Sequence, residues 1–248
     1  MAITDRPAEP PRAGSQPARP GREEAAGRRL LRRVTGISGI VAAVIGTVVG
    51  ELYFVYSGNP PTWDVLTRNL LNLVAVAAFI VFVTGLSSIL RNANPAYDWL
   101  ASLVFGTGLI YAAIVLVKIS IEVGVVLGTP SGRFDPTTDG PLAHANVLMH
   151  GSVTRLVTAL LLTAAGYAIL RTRALPRWSG RIAYLLAAVN LAFVPSLYFG
   201  IDPAHFYSAL GWGNTALTAG LITYWSAAVG VAAMRRPPNQ SQVATAAD

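Results

Sequence analysis

The chain has 248 residues, 53% of them hydrophobic and only 12% charged, against about 25% charged in an average soluble domain, so its main solvent is expected to be lipid. With no cysteine, disulfides, thiolate metal sites and cysteine nucleophiles are excluded, and three histidines leave little room for an all-histidine metal site. The formal charge of +7 would suit nucleic acid only if the arginines gathered on one folded basic face; they sit instead at the ends of apolar runs, and neither nucleic acid, metal nor cofactor is expected.

Residues 1–27 are rich in Pro, Arg, Ala, Gly and Glu without an apolar period, and such a segment cannot bury enough surface to offset the entropy of ordering. They read as a disordered cytoplasmic tail, too long and proline-rich for the basic start of a signal peptide. Six apolar segments follow in a transmembrane domain over 28–236, at approximately 34–56, 66–90, 98–127, 142–170, 181–200 and 209–234. Each covers a hydrocarbon core of about 30 Å at 1.5 Å per residue. The fold class is therefore all-α, a polytopic bundle of about six spans, closed by a C-terminal tail over 237–248.

In the first span Gly39, Ala43, Gly46 and Gly50 are small, the last two in G-x-x-x-G spacing, which suits close packing inside the bundle. The third and fourth segments are longer than a bilayer requires and project toward the loop 128–141, with its Thr129-Pro130-Ser131-Gly132 and Asp135-Pro136 turn signals. The fourth reads as one continuous helix, with His144 and Arg155 on one face and Asn146, His150 and Thr154 on another. In the fifth, Pro195 removes the donor for the Leu191 carbonyl and predicts a kink near Asn190.

Basic residues collect on the cytoplasmic side of a membrane. With the N-terminus inside, fifteen of the nineteen basic residues fall on the inner side, at 6–33, Arg91, 171–181 and 235–236; only Arg68, Lys118, Arg133 and Arg155 do not. Both termini are expected inside. Counted along each helix from its inner end, Glu51, Arg68, Asn72, Lys118, Glu122, His150 and Arg155 lie about 24 to 36 Å away, which is the outer interface. Ionisable side chains in a span are the first place to look for function.

These residues predict an outward-opening polar crater. Arg68, Asn72, Tyr111, Lys118 and Arg155 are its candidate ligand-binding groups, and Glu51, Glu122 and His150 its candidate catalytic groups. An imidazole beside a partly buried carboxyl can act as a general acid and base. Lys118 is the only lysine; desolvated it could serve as a base, while the plainer expectation is a pair with Glu122 one turn on. The two helical histidines share one span, which argues against a haem held between helices. No phosphate-binding loop, H-E-x-x-H or aspartate-rich motif is present, excluding ATP-driven transport by this chain alone and disfavouring diphosphate ionisation.

The loop Arg173-Ala174-Leu175-Pro176-Arg177-Trp178-Ser179-Gly180-Arg181 resembles the Leu-Pro-Arg-Trp loop of a group of uncharacterised actinobacterial six-span membrane proteins, a domain of unknown function. That resemblance implies a bacterial plasma membrane and no activity. The chain is also faintly similar to small integral-membrane terpene cyclases, whose intramembrane acids protonate an alkene or epoxide; no catalytic residue carries over. Three functions follow: a ligand-binding or regulatory membrane protein whose crater takes a membrane lipid, a small apolar molecule or a partner; an intramembrane enzyme acting on a terpenoid or lipid, such as a proton-initiated cyclase or isomerase; and a small permease or exporter. The oligomeric state is left open.

Overall fold

The computed structural model describes residues 22–56, 58–129 and 135–235. Among them are seven α-helices and no strand: α1 (Arg22–Leu52), α2 (Thr62–Ala93), α3 (Asp98–Gly128), α4 (Pro141–His150), α5 (Ser152–Thr172), α6 (Arg177–Phe193) and α7 (Thr218–Arg235). Six helical stretches, Glu24–Leu52, Thr62–Ala93, Pro95–Gly128, Leu142–Thr172, Arg177–Tyr198 and Gly213–Arg235, are long and apolar enough to cross a membrane. The chain is built as a multi-pass membrane protein.

Helix α1 starts at Arg22, inside the stretch expected to be tail. Its first turns carry an Arg28–Glu24 pair one turn apart, and the Glu, Ala and Arg residues there are good helix formers. The rest of the expected N-terminal tail, the Pro130-Ser131-Gly132 turn with Arg133, and the expected C-terminal tail lie outside the described residues.

The spans form a ring. Helix α1 packs on α2, α2 on α3, α3 on α4 and α5, α5 on α6, and α7 closes the ring against α6 and α1. Toward the arginine-rich ends of the helices the ring is solid: Phe82, Leu86, Leu90, Val104, Leu162 and Ile169 are buried in one apolar cluster with Trp225 and Val229. Apolar side chains gain nothing by leaving lipid for each other, so helix association there depends on contact area, and small residues supply it. A Cβ on Gly85 would lie 1.9 Å from Thr35 Oγ1, and one on Gly36 would lie 2.7 Å from the Gly230 carbonyl oxygen. The close approaches of α1 thus fall at Gly36 and Gly39. A Cβ on Gly46 would meet only Thr223, and one on Gly50 would have nothing within 4 Å, so the G-x-x-x-G pair marks the place where α1 and α7 part.

Two further expectations are corrected. The fourth span is not continuous: Gly151, at φ −85° and ψ −115°, separates α4 from α5. Glycine's wide conformational range permits that ψ, and the face assignment across the break fails with it. Pro195 does not leave the Leu191 carbonyl free. Helix α6 ends at Phe193 and tightens into a 3-10 turn, Val194–Tyr198, in which the Val194 N–H reaches the Leu191 carbonyl.

Gly85→Val should lower the thermal unfolding midpoint of the detergent-solubilised full chain, because overpacking costs about 1–3 kcal/mol. Gly50→Ala should leave that midpoint unchanged or raise it, since alanine is the better helix former. Indistinguishable melting of the two variants would sink this account of the packing.

Candidate functional site

Beyond the solid half, the ring encloses a cavity of about 970 Å³ between α1, α2, α3, α4 and the start of α7. Its wall is mainly apolar, with Ala42, Val49, Ala75, Val76, Val115 and Ile222 among the lining residues. Polar groups collect toward the end away from the arginine-rich side: Asn72 on α2, Tyr111 and Lys118 on α3, His150 at the end of α4, and Glu51 on the exposed rim. Among the described residues, no hydrogen bond engages the Asn72 amide, the Tyr111 hydroxyl or the His150 ring. Phe54, Ile201, Trp212, Leu217 and Tyr224 also line the cavity while remaining exposed. Its mouth is therefore rimmed with apolar and aromatic side chains.

Behind the wall at Lys118 lies a buried ion cluster. The Glu122 carboxylate, fully buried on α3, accepts from Arg68 Nη2 at 2.6 Å and Arg68 Nε at 3.1 Å. It also accepts from Lys118 one turn away and from Tyr53 Oη at 3.0 Å. Tyr53 in turn accepts from Lys118, and its ring lies 4.0 Å beneath the Arg68 guanidinium. Burial raises the Tyr53 phenol above its ordinary value, so it keeps the proton it donates. Asp64, one turn before Arg68, stands 3.7 Å from Arg68 Nη1. Two cations and two anions thus cancel, as burial demands. A small polar recess of about 130 Å³ reaches Arg68 from the side of Tyr56, Pro60 and Asp135.

Arg155 is buried elsewhere and has no carboxylate partner among the described residues. Its Nε donates to the Gly151 carbonyl at 2.8 Å, Nη2 to the His150 carbonyl at 2.6 Å and to Thr154 Oγ1 at 3.0 Å, and Nη1 to Asn190 Oδ1 at 3.2 Å. The break at Gly151 explains this arrangement. A helix end exposes carbonyls without intrahelical donors and carries about half a negative charge; the guanidinium caps the end of α4 and is partly neutralised by it.

The predicted crater therefore resolves into three parts. Glu51, Asn72, Tyr111, Lys118 and His150 line the cavity; Arg68 and Glu122 sit in the ion cluster behind it; Arg155 caps the helix break. Glu122 serves as acceptor to three side chains and does not line the cavity. Lys118 belongs to both groups, and its expected pair with Glu122 forms. Sequence reasoning missed Tyr53 and Asp64. Asp64 carried a signal, an acid one turn before Arg68, whereas Tyr53 follows the end of α1 and looks like any interfacial aromatic. Comparison with known proteins finds no matching family model, no matching curated protein and no matching solved structure.

Glu122→Leu leaves two buried cations short of a partner, at a cost of about 3–5 kcal/mol. It should sharply reduce the folded, monodisperse yield of the full chain, and adding Lys118→Met should recover part of that loss. If Glu122→Leu melts with the wild type, the cluster does not hold the spans together.

Proposed function

We propose that this protein binds a lipid-like molecule within the bilayer, its apolar part in the cavity and its polar end toward Lys118, Asn72, Tyr111 and His150. One observation carries the reading: an apolar cavity with a greasy, exposed mouth is bordered by the Asn72 amide, the Tyr111 hydroxyl and the His150 ring, which have no hydrogen-bond partner among the described residues, and by Lys118, which has one donor unused among them. Binding sites are concave, mainly apolar and fixed by a few polar groups, and buried polar groups are rarely left unbonded. A volume of about 970 Å³ is at the upper end of the range for small-molecule pockets, about 300–1,000 Å³. A mouth lined by Tyr224, part-way down α7 and 58% exposed, gives access from lipid rather than from water.

The same reading places the protein in a bacterial plasma membrane with both termini in the cytoplasm, so that the cavity lies in the outer leaflet. What supports that orientation is the arginine distribution. Transport ranks below binding, since the solid apolar cluster around Phe82, Leu162 and Val229 leaves no polar route through the other half, and alternating access places its site near the midplane. An enzyme acting on the same apolar molecule is the second reading, because Glu51 and His150 border one cavity. Proton transfer would fall to them and not to Glu122, whose oxygens are occupied.

A photoactivatable long-chain alcohol bearing a diazirine, added to the full chain in nanodiscs, should label peptides containing Val76, Val115 or Ile222, and Ala112→Trp should abolish that labelling. Labelling confined to lipid-facing residues such as Leu70 and Leu185, unchanged by Ala112→Trp, would refute the binding reading. A periplasmic-active reporter fused after Asp135 should be active; a silent one, with a cytosolic reporter active there instead, reverses the orientation.

A further inference from the structure

Resting on the cavity as a binding site, we infer that its occupant carries an anionic headgroup, held by Lys118. Three observations converge. First, Lys118 is the only lysine or arginine among the described residues that line the cavity, and only two of the three donors of an ammonium group are used, by Glu122 and Tyr53. The third has no partner among the described residues. Second, the cluster around Lys118 is balanced but Arg155 is not: its guanidinium sits on the carbonyl of His150, behind the cavity wall that the His150 side chain lines. The buried ionic side chains among the described residues are Arg68, Lys118 and Arg155 against Asp64 and Glu122, a surplus of one cation. The end of α4 offsets about half a charge at Arg155, so a positive excess is left in a low-dielectric region, where an anion is favoured. Third, two neutral polar groups that line the same cavity are suited to the same ligand, since the Tyr111 hydroxyl and the Asn72 amide can both donate to an oxyanion.

The ion cluster acquires a purpose from this. Glu122 and Tyr53 fix the Lys118 ammonium so that it need not be ordered when ligand arrives, and a preorganised donor loses less entropy on binding. Glu51, the remaining carboxylate at the cavity, is exposed on the rim, where solvent screens it. An anionic headgroup therefore has its favourable neighbour inside the protein, with Glu51 set out on the exposed rim. The headgroup chemistry is that of a carboxylate or phosphate on an apolar chain; both are oxyanions able to accept from one ammonium and two neutral donors.

The test compares cis-parinaric acid with its methyl ester on the full chain in phosphatidylcholine nanodiscs, at a pH where the acid is ionised, reading saturable energy transfer from the protein's tryptophans. The acid should bind about tenfold more tightly than the ester, the effect of one charge-assisted hydrogen bond. In Lys118→Met the preference of acid over ester should disappear; Lys118→Arg, which keeps the charge and the pairing with Glu122, should retain most of the preference. Displacement of parinarate by dioleoyl phosphatidic acid better than by oleate assigns the headgroup to a phospholipid, and the reverse assigns it to a fatty acid. Equal binding of acid and ester by the wild type overturns the headgroup inference and leaves the cavity reading standing. Saturable binding of neither, together with failure of the diazirine alcohol to label the cavity, removes both. The wild-type comparison needs no variant to fold.

Discussion

A carboxylate with no access to solvent has to be surrounded by donors, and Glu122 meets that requirement by drawing on three segments at once. Arg68 comes from α2, Lys118 from its own helix one turn earlier, and Tyr53 from the residue after α1. Each partner is itself expensive to bury, so none can leave without stranding the others. The cluster thus fixes how far α1, α2 and α3 stand apart, alongside the smaller apolar cluster of Val76, Ala112, Val115 and Ile119 between α2 and α3. The cavity exists because these charges hold its walls in register while no side chains fill the space between them.

The break at Gly151 performs a related task on the opposite wall. A continuous fourth helix would direct its side chains according to one phase from Leu142 to Thr172. Breaking it sets α4 apart from α5, leaves the His150 and Gly151 carbonyls open to the Arg155 guanidinium, and brings His144, Val147 and His150 to the cavity. Irregular backbone at membrane depth is tolerated where it is buried in protein or lines a cavity, and here the buried Arg155 guanidinium donates to the exposed carbonyls of the break. Asn190 completes the arrangement from α6, donating to the Leu186 carbonyl and accepting from Arg155.

What was legible in the sequence follows from which physical signals are local. Span number, span order and the all-α class are carried by hydropathy over some twenty residues, a signal that tertiary context rarely overturns in lipid, and the structure agrees. That Arg68, Lys118, Glu122 and Arg155 stand far along their helices from the arginine-rich ends is a matter of counting residues. Their grouping is not. Whether two residues at one depth meet depends on helix order and rotation about the bundle, and a single sequence carries neither. Gly151 illustrates the difficulty well: glycine is common in membrane helices, and nothing nearby distinguishes a helix-breaking glycine from Gly166, where a Cβ would lie 3.0 Å from the Gly180 carbonyl oxygen. Tyr53 was invisible for another reason, as its role is set entirely by residues 65 and 69 positions later.

The two halves of the bundle answer different demands. Where α1 meets α7, Gly36, Gly39, Gly230 and Ser226 bring backbones into contact, and Phe82 and Trp225 stack edge to face in the core beside them. Past Gly46 the same two helices diverge, and the π-turn at Gly213–Leu217 starts the sixth span with its backbone bonds to Trp212 displaced from the α pattern. Such turns cost helix stability and are concentrated at functional sites. Asn214 anchors this one, donating to Ser152, Ser196 and the Ala209 carbonyl. A bundle selected only for stability would have carried the small-residue contact of α1 and α7 to the end of the helices. Instead the sequence keeps Gly46 and Gly50 where no backbone approaches, adds a buried ionic cluster to the apolar contacts of α2 and α3, and holds open a space bordered by Asn72, Tyr111 and His150, which have no hydrogen-bond partner among the described residues. Arg68, Lys118 and Tyr53 satisfy Glu122, and that arrangement leaves one donor unused on Lys118, a residue that lines the space.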